Sequence, residues 1–329
     1  MAAKGVLETR FTRLVGCKTP IQQAGMGGVA TPELALAVTQ AGALGMVTAT
    51  LVPPAALVQI LGAMQSATRG PFGVSFLLPF LDQRECVGIA ARAARVVEFF
   101  WGAPDPTLVA DVHAGGALAA WQVGSADEAR AAAGAGCDFV VAQGQEAGGH
   151  VRGRLGLLSL LDAVLGSLSV PVVAAGGIAT PRAMAAVLAA GAAAVRVGTR
   201  FVTARESGAH PTYVKALVEA GAEDTVLTDT FSVMWPNAPH RVLRSCVEAA
   251  RAFPKDVTGE IEISGGRRIA VPRFGVPCPT RETTGEIEAM ALYAGESVGQ
   301  VCAVQPAAAI VAELSAGAEQ LLRAASPAL

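Results

Sequence analysis

Val170-Pro-Val-Val-Ala-Ala-Gly-Gly-Ile-Ala-Thr-Pro181, then Arg182-Ala-Met-Ala-Ala-Val-Leu-Ala-Ala-Gly191, then Ala192-Ala-Ala-Val-Arg-Val-Gly-Thr-Arg-Phe201: this stretch holds one full unit of the fold. A short apolar run, Val170–Ala175, ends in Gly176-Gly177. Such a continuous run suits a parallel strand buried on both faces. Thr180-Pro181 reads as a helix start, with a capping oxygen before a proline at the first helical position. Gly191 closes the helix, because glycine takes the left-handed conformation cheaply. A second apolar run, Ala193–Val197, follows and ends in Gly198-Thr199.

Working outward, the same cadence recurs. Apolar runs lie at Pro20–Ala24, Leu44–Ala49, Phe72–Leu78, Val96–Phe100, Ala117–Val123 and Phe139–Ala142. Helical spacing appears at Pro32–Gln40, Pro54–Gln65, Glu85–Ala94, Thr107–Ala114, Ala126–Ala133, Leu157–Leu165, Pro181–Ala190 and Pro211–Ala220. Thr31-Pro32 repeats the proline start, Ser125 to Glu128 spells a capping box, and Gly42, Gly116 and Gly136 repeat the glycine stop. Eight strands alternating with eight helices over about 220 residues predict a (β/α)8 TIM barrel, an α/β fold. A doubly wound open sheet is the alternative, but it rarely runs to eight uninterrupted units. The cadence stops after Gly221. Residues 222–299 carry Pro236, Pro239, Pro254, Pro272, Pro277 and Pro279, and an alternating stretch Glu260–Ile263 before Ser264-Gly265-Gly266. They read as an inserted cap or lid. The barrel is expected over 1–221, and residues 300–329 return to it through a helix, Pro306–Ala325, with Ile310, Leu314, Leu321 and Leu322 on one face.

Composition narrows the function classes. Of 329 residues, 52% are apolar and 16% charged, too apolar for a disordered chain. Lys plus Arg is 25 against 27 Asp plus Glu, so no basic excess exists to neutralise nucleic-acid phosphates. No uninterrupted apolar run of about 18 residues suggests a membrane span. Met1–Leu14 has charges but no apolar core, which predicts a cytoplasmic enzyme. Six scattered cysteines form no C-x-x-C pair, so neither a metal centre nor a disulfide framework is expected.

In a barrel, the loops after strands 7 and 8 commonly hold a phosphate. Here those loops begin with Gly176-Gly177 and Gly198-Thr199. A lone Gly-Gly is more often a turn; two glycine-bearing strand ends one βα unit apart are far more specific. Backbone N–H groups there can donate to an anion, and the next helix offers its positive end. No Walker-type sequence occurs. A phosphate-bearing cofactor is implied, with flavin mononucleotide, FMN, as the candidate, its ring lying across the barrel mouth.

Of four histidines, His113 and His210 read as surface or capping residues, and His240 as a cap residue that contacts substrate or merely packs. His150 follows strand 6 in a glycine-rich loop on the face where barrel enzymes place their chemistry. A neutral imidazole there takes a proton from carbon or bonds a nitro or carbonyl oxygen; the bland alternative is a histidine satisfying loop carbonyls. Gly148 and Gly149 let backbone pass close to a flat ring, and Gly25, Met26 and Gly27 line its edge in the first loop. Gln122 points into the mouth from the end of strand 5. Ser75 bonds the cofactor or simply forms a turn. Glu146 orients His150 or stands as a solvated carboxylate. Gly295, Glu296 and Ser297 close over the cofactor as the chain returns from the lid.

Several of these segments carry a resemblance. Pro20-Ile-Gln-Gln-Ala-Gly-Met-Gly-Gly-Val29, Gln143-Gly-Gln-Glu-Ala-Gly-Gly-His150, Ala174-Ala-Gly-Gly-Ile178 and Gly198-Thr-Arg-Phe201 resemble the nitronate monooxygenase family, formerly 2-nitropropane dioxygenases. The likeness continues through Gly221–Thr228, Trp235–Arg244 and Glu288–Gly299, and Glu146-Ala-Gly-Gly-His150 is its most specific part. It implies FMN on a (β/α)8 barrel, a flavin contact from Gln122, and oxidation of alkyl nitronates by O2 to a carbonyl compound and nitrite. FabK-type enoyl-acyl-carrier-protein reductases and quinone reductases share the motifs, so an NAD(P)H-dependent flavin reductase is the alternative. A colourless phosphate-binding scaffold is a third. Two departures stand out: Gly25 where the family often has proline, and Ser75 where many relatives have asparagine. The partners expected are a small-molecule substrate and O2, with NAD(P)H and a homodimer allowed.

Overall fold

The computed structural model describes residues 5–263 and 266–325; the expected tip of the alternating stretch, Ser264-Gly265, and the first four residues lie outside them. Eight parallel strands appear in sequence: β1 Ile21–Gln23, β2 Gly45–Thr48, β3 Phe72–Leu77, β4 Val96–Phe100, β5 Leu118–Val123, β6 Phe139–Gln143, β7 Val172–Ala175 and β8 Ala194–Val197. Each pairs with its sequence neighbour, and β8 returns to β1. The ring closes where Leu44 donates to the Ile21 carbonyl at 2.9 Å and Gln23 donates to the Leu44 carbonyl at 2.9 Å. The sheet is thus the expected (β/α)8 barrel.

The alternation along each strand builds two cores. Outward side chains such as Val47, Val74, Phe76, Val97, Phe99, Trp121, Val140, Val195 and Val197 pack under the helices. Inward ones, Met46, Val96, Ala120, Phe139, Val141, Val173 and Ala194, fill the interior, and the N-terminal helix Arg10–Val15 plugs its lower end. Phe11 of that helix meets Phe139 edge-to-face at 5.4 Å. The interior also holds a polar core, in which Glu98 pairs with Arg196 and accepts from Gln22 Nε2 at 2.8 Å. A paired, hydrogen-bonded carboxylate is the form in which a charge tolerates such burial.

Local signals act as expected. Thr31 and Thr180 accept from the N–H of Leu34 and Ala183, and Ser125 accepts from that of Glu128. Glu128 reaches back one residue further than a capping box requires, to Gly124 N–H at 2.8 Å. Gly42, Gly116, Gly136 and Gly191 all carry positive φ.

The helix ring is completed in an unexpected way. Pro211–Glu219, which reads as an eighth barrel helix, instead packs Tyr213 and Leu217 into a second core with Phe231, Val242, Leu243, Cys246, Ala289 and Leu292. The C-terminal helix Ala307–Ala325 takes the vacant place, adding Ile310, Val311, Leu314 and Ala318 to the outer barrel core. Gly317 lies where a Cβ would stand 2.6 Å from Pro181, so the two helices cross closely. Arg200, after β8, donates to the Ala179 carbonyl at 2.7 Å and pairs with Glu313 at 2.7 Å, tying that helix to the mouth of the barrel. The second core supports a sheet of Thr225–Thr228, His240–Leu243 and the pair Gly149–His150. A third sheet, Val257–Ile263 with Arg267–Pro272 and Thr284–Gly285, stands beyond it. No helix among the described residues is long and apolar enough to cross a membrane.

Candidate active site

The last two strands end side by side, and four loops meet above them. Gly176 and Gly177 leave β7 with φ of 112° and 68°, a region costly to any residue with a Cβ. The space is also taken: a Cβ on Gly176 would stand 3.1 Å from the Gly144 carbonyl oxygen. A Cβ on Gly148 would meet Gly295 N at 2.5 Å, so the His150 loop and the chain returning from the cap pass backbone to backbone. Gly295 donates to Thr199 Oγ1 at 2.9 Å, and Glu296 donates to the Glu146 carbonyl at 3.0 Å. Residues 144–148, 176–177, 198–199 and 295–296 therefore form one continuous cluster. The N–H groups of Gly176, Gly177, Gly198 and Thr199 have no protein acceptor among the described residues. Unpaired backbone donors at two adjacent strand ends fit the phosphate of a bound nucleotide.

The first loop approaches the same place. Gly198 sits against Ala24 and Met26. Gly25 lies so close to β3 that a Cβ would stand 2.1 Å from Ser75 Oγ, and Ser75 shares a hydrogen bond with Thr48 at 3.1 Å. Ser75 is thus an inward side chain within β3, two residues before its end, and not a turn former. In the same first loop, the Gly27 carbonyl accepts from Cys278 Sγ at 3.1 Å. Gln122 is buried on the inward face of β5, alternating with Ala120. Gly149 is drawn into the cap sheet opposite Arg241. Ser297 lies in the turn Glu296–Gln300, and none of the hydrogen bonds that join these loops uses it.

His150 stands where barrel and cap meet. Its backbone pairs with His240, and its carbonyl accepts from Gln143 Nε2 at 2.9 Å. Its ring stacks on Trp235, centroids 3.9 Å apart and planes 24° apart. Trp101, His240 and Tyr293 lie within 6 Å. Its Nε2 is buried without a partner among the described residues, as is Gln143 Oε1. Burial, with a smaller contribution from His240, pushes the His150 pKa down to about 3. The imidazole is neutral at working pH.

The other histidines separate cleanly. His240 accepts from Phe231 N–H through Nε2 at 3.1 Å, so its Nδ1 carries the proton shared with the Ala238 carbonyl at 2.9 Å. It is a packing residue with both nitrogens used. His210 caps its helix through Nδ1, and His113 pairs with Asp138 at 2.9 Å on the surface. Glu146 does neither thing considered for it. Its carboxylate accepts from Leu157 N–H at 2.8 and 3.0 Å and caps the helix Leu157–Leu165, whose own N-cap is glycine. Sequence reasoning missed Trp101, Trp235 and Gln143 as neighbours of His150, and Arg241. Arg241 donates to the Gln145 carbonyl at 3.0 Å and pairs with Glu296 at 3.0 Å, locking the loop. Only the Gln143 signal, a polar residue ending an inward-facing strand, was available in the chain itself.

A family model described as nitronate monooxygenase matches residues 8–92 and 81–317. This chain belongs to the nitronate monooxygenase family. Like other members, it is a flavin-dependent oxidoreductase. It is 31% identical to a probable nitronate monooxygenase of Staphylococcus saprophyticus, over 69% of this chain and 77% of that one. It is 34% identical to (3aS,4S,5R,7aS)-5-hydroxy-7a-methyl-1-oxo-octahydro-1H-indene-4-carboxyl-CoA dehydrogenase of Rhodococcus jostii, over 80% of this chain and 70% of that one. Among solved structures, FabK of Thermotoga maritima superposes with a TM-score of 0.80 at 30% identity, covering 97% of this chain and 98% of the other. Nitroalkane oxidase of Streptomyces ansochromogenes gives 0.76 at 30% identity, covering 96% and 99%. The likeness to these two structures thus spans nearly the whole chain.

Proposed function

We propose that this family member binds FMN and oxidises alkyl nitronates with O2 to a carbonyl compound and nitrite. The observation that carries the reading is the pair of adjacent strand ends, with unpaired N–H groups at Gly176, Gly177, Gly198 and Thr199, in the loop cluster that leads to His150. Those groups hold the phosphate. Gly25, Met26, Gly27, Ser75, Gln122, Gly148 and Gly149 line the ring, with Gly295 and Ser297 closing over it. FMN, when bound, supplies the redox chemistry. The chain positions the substrate. His150, neutral because its cation is costly where it is buried, meets a nitronate oxygen through hydrogen bonding. The same burial makes it a poor base, so preformed nitronates are better substrates than neutral nitroalkanes. Trp235 fixes the plane of the imidazole by stacking. The enzyme is taken to be cytoplasmic, with a small-molecule substrate.

A second reading, an NAD(P)H-dependent flavin reductase acting on an enoyl thioester or quinone, draws on the likeness to the indene-carboxyl-CoA dehydrogenase and to FabK. One anaerobic experiment separates the two. Bleaching of the yellow colour by propyl nitronate but not by NADH supports the first; bleaching by NADH alone overturns it. His150→Asn should keep its visible spectrum and lose about 10²-fold in kcat/KM with nitronate, the usual cost of one preorganised hydrogen-bonding group. Unchanged turnover removes His150 from the mechanism.

A further inference from the structure

Five non-glycine residues among those described carry left-handed backbone, and three of them are Trp101 at φ 65° and two close neighbours of Trp235 in the chain, Met234 at φ 80° and Asn237 at φ 56°. Such conformations persist where the surroundings impose them, and they cluster at ligand clamps. All three flank one aromatic nest. Trp235, 5% exposed, lies between its neighbour Met234, 51% exposed, and the barrel. Its indole covers one face of the His150 ring at 3.9 Å. Its other ring contacts among the described residues are edge-to-face, with Phe80 after β3 at 5.1 Å and with Trp101 after β4 at 5.0 Å. A cap residue is thus wedged between two barrel loops and the one histidine whose buried Nε2 lacks a partner. Fixing the imidazole plane needs only one flat neighbour, so the second tryptophan and the phenylalanine are unexplained by that task.

We propose that Trp235 is the specificity-determining residue of this site. A ligand that bonds His150 Nε2 must lay its body against Trp235, Trp101 or Phe80, the rings packed around that imidazole. The residue at 235 therefore sets how long an apolar chain the site accepts. The ligand is a planar group with two oxygens on a short apolar body, which deepens the nitronate reading above and rests on it.

Straight-chain carboxylates from acetate to octanoate test this, being unreactive planar analogues of nitronates. Their binding to the purified holoenzyme is measured by calorimetry, alongside nitrite release from nitronates of matching length. In the native protein, affinity should stop rising beyond the short chains. In Trp235→Ala, the preference for octanoate over propanoate should grow by about tenfold or more, the order expected for a pocket that gains methylene-sized space. Trp235→Phe should fall between. A parallel shift at every length, or no shift, overturns the proposal by reducing Trp235 to a packing residue. Should the alanine variant fail to fold, the same ratio in Trp235→Phe decides. If no nitronate of any length releases nitrite, the nitronate reading falls, and the carboxylate ratios still decide the role of Trp235.

Discussion

His150 illustrates how one side chain acquires its chemistry from its surroundings. An unfolded histidine titrates near its ordinary value, about 6.5, whereas burial takes the native one down to about 3. Between those values the unfolded chain binds a proton that the native protein refuses. Stability is therefore full above about pH 6.5 and falls as pH drops toward 3, by about 1.4 kcal/mol per pH unit from this residue. His240, also lowered by burial, acts in the same direction. Urea unfolding at pH 6.0 and 4.5 should show a shallower pH slope for His150→Asn than for the parent protein, by about one proton. Equal slopes would mean that the ring is not buried as described. In the sequence, the position of His150 in a glycine-rich strand-end loop was visible. Its depressed pKa was not, because the tryptophan and histidine that desolvate it lie 85 and 90 residues further along.

At the scale of elements, glycines report two different things. Gly148 is required by contact, since a Cβ there would press into the backbone of Gly295. Gly148→Ala should separate the His150 loop from residues 294–296, cost about 1–3 kcal/mol as overpacking does, and lower the bound flavin in purified protein. Gly27 has nothing within 4 Å of a Cβ and no positive φ. Gly27→Ala should change stability by less than about 0.5 kcal/mol. Melting temperature reads both variants, and equal behaviour would refute the contact argument. Strands, caps and glycine stops were legible because each is decided within a few residues. Glu146 was not, because whether a loop carboxylate faces solvent, a histidine or a helix end depends on where the helix Leu157–Leu165 starts in space.

At the scale of the molecule, the barrel is closed by a helix from the far end of the chain. Leu314 is fully buried in that helix and belongs to the outer barrel core. Leu314→Ala should destabilise the whole protein by about 2–5 kcal/mol, as deletion of a buried leucine side chain does. A loss below about 1 kcal/mol in denaturant unfolding would mean that the helix is an accessory. The sequence alone determined the repeated βα unit, the eight strands, the glycine-bearing ends of the last two and the loop of His150. Each of these is written in local periodicity and turn chemistry, which act between residues close in the chain. Only the tertiary structure decided that Pro211–Glu219 joins the cap, that Ala307–Ala325 completes the ring, and that Trp235 covers His150. Helical periodicity says that a face is apolar but not which apolar face it will meet, and that choice is made by packing between segments remote in sequence.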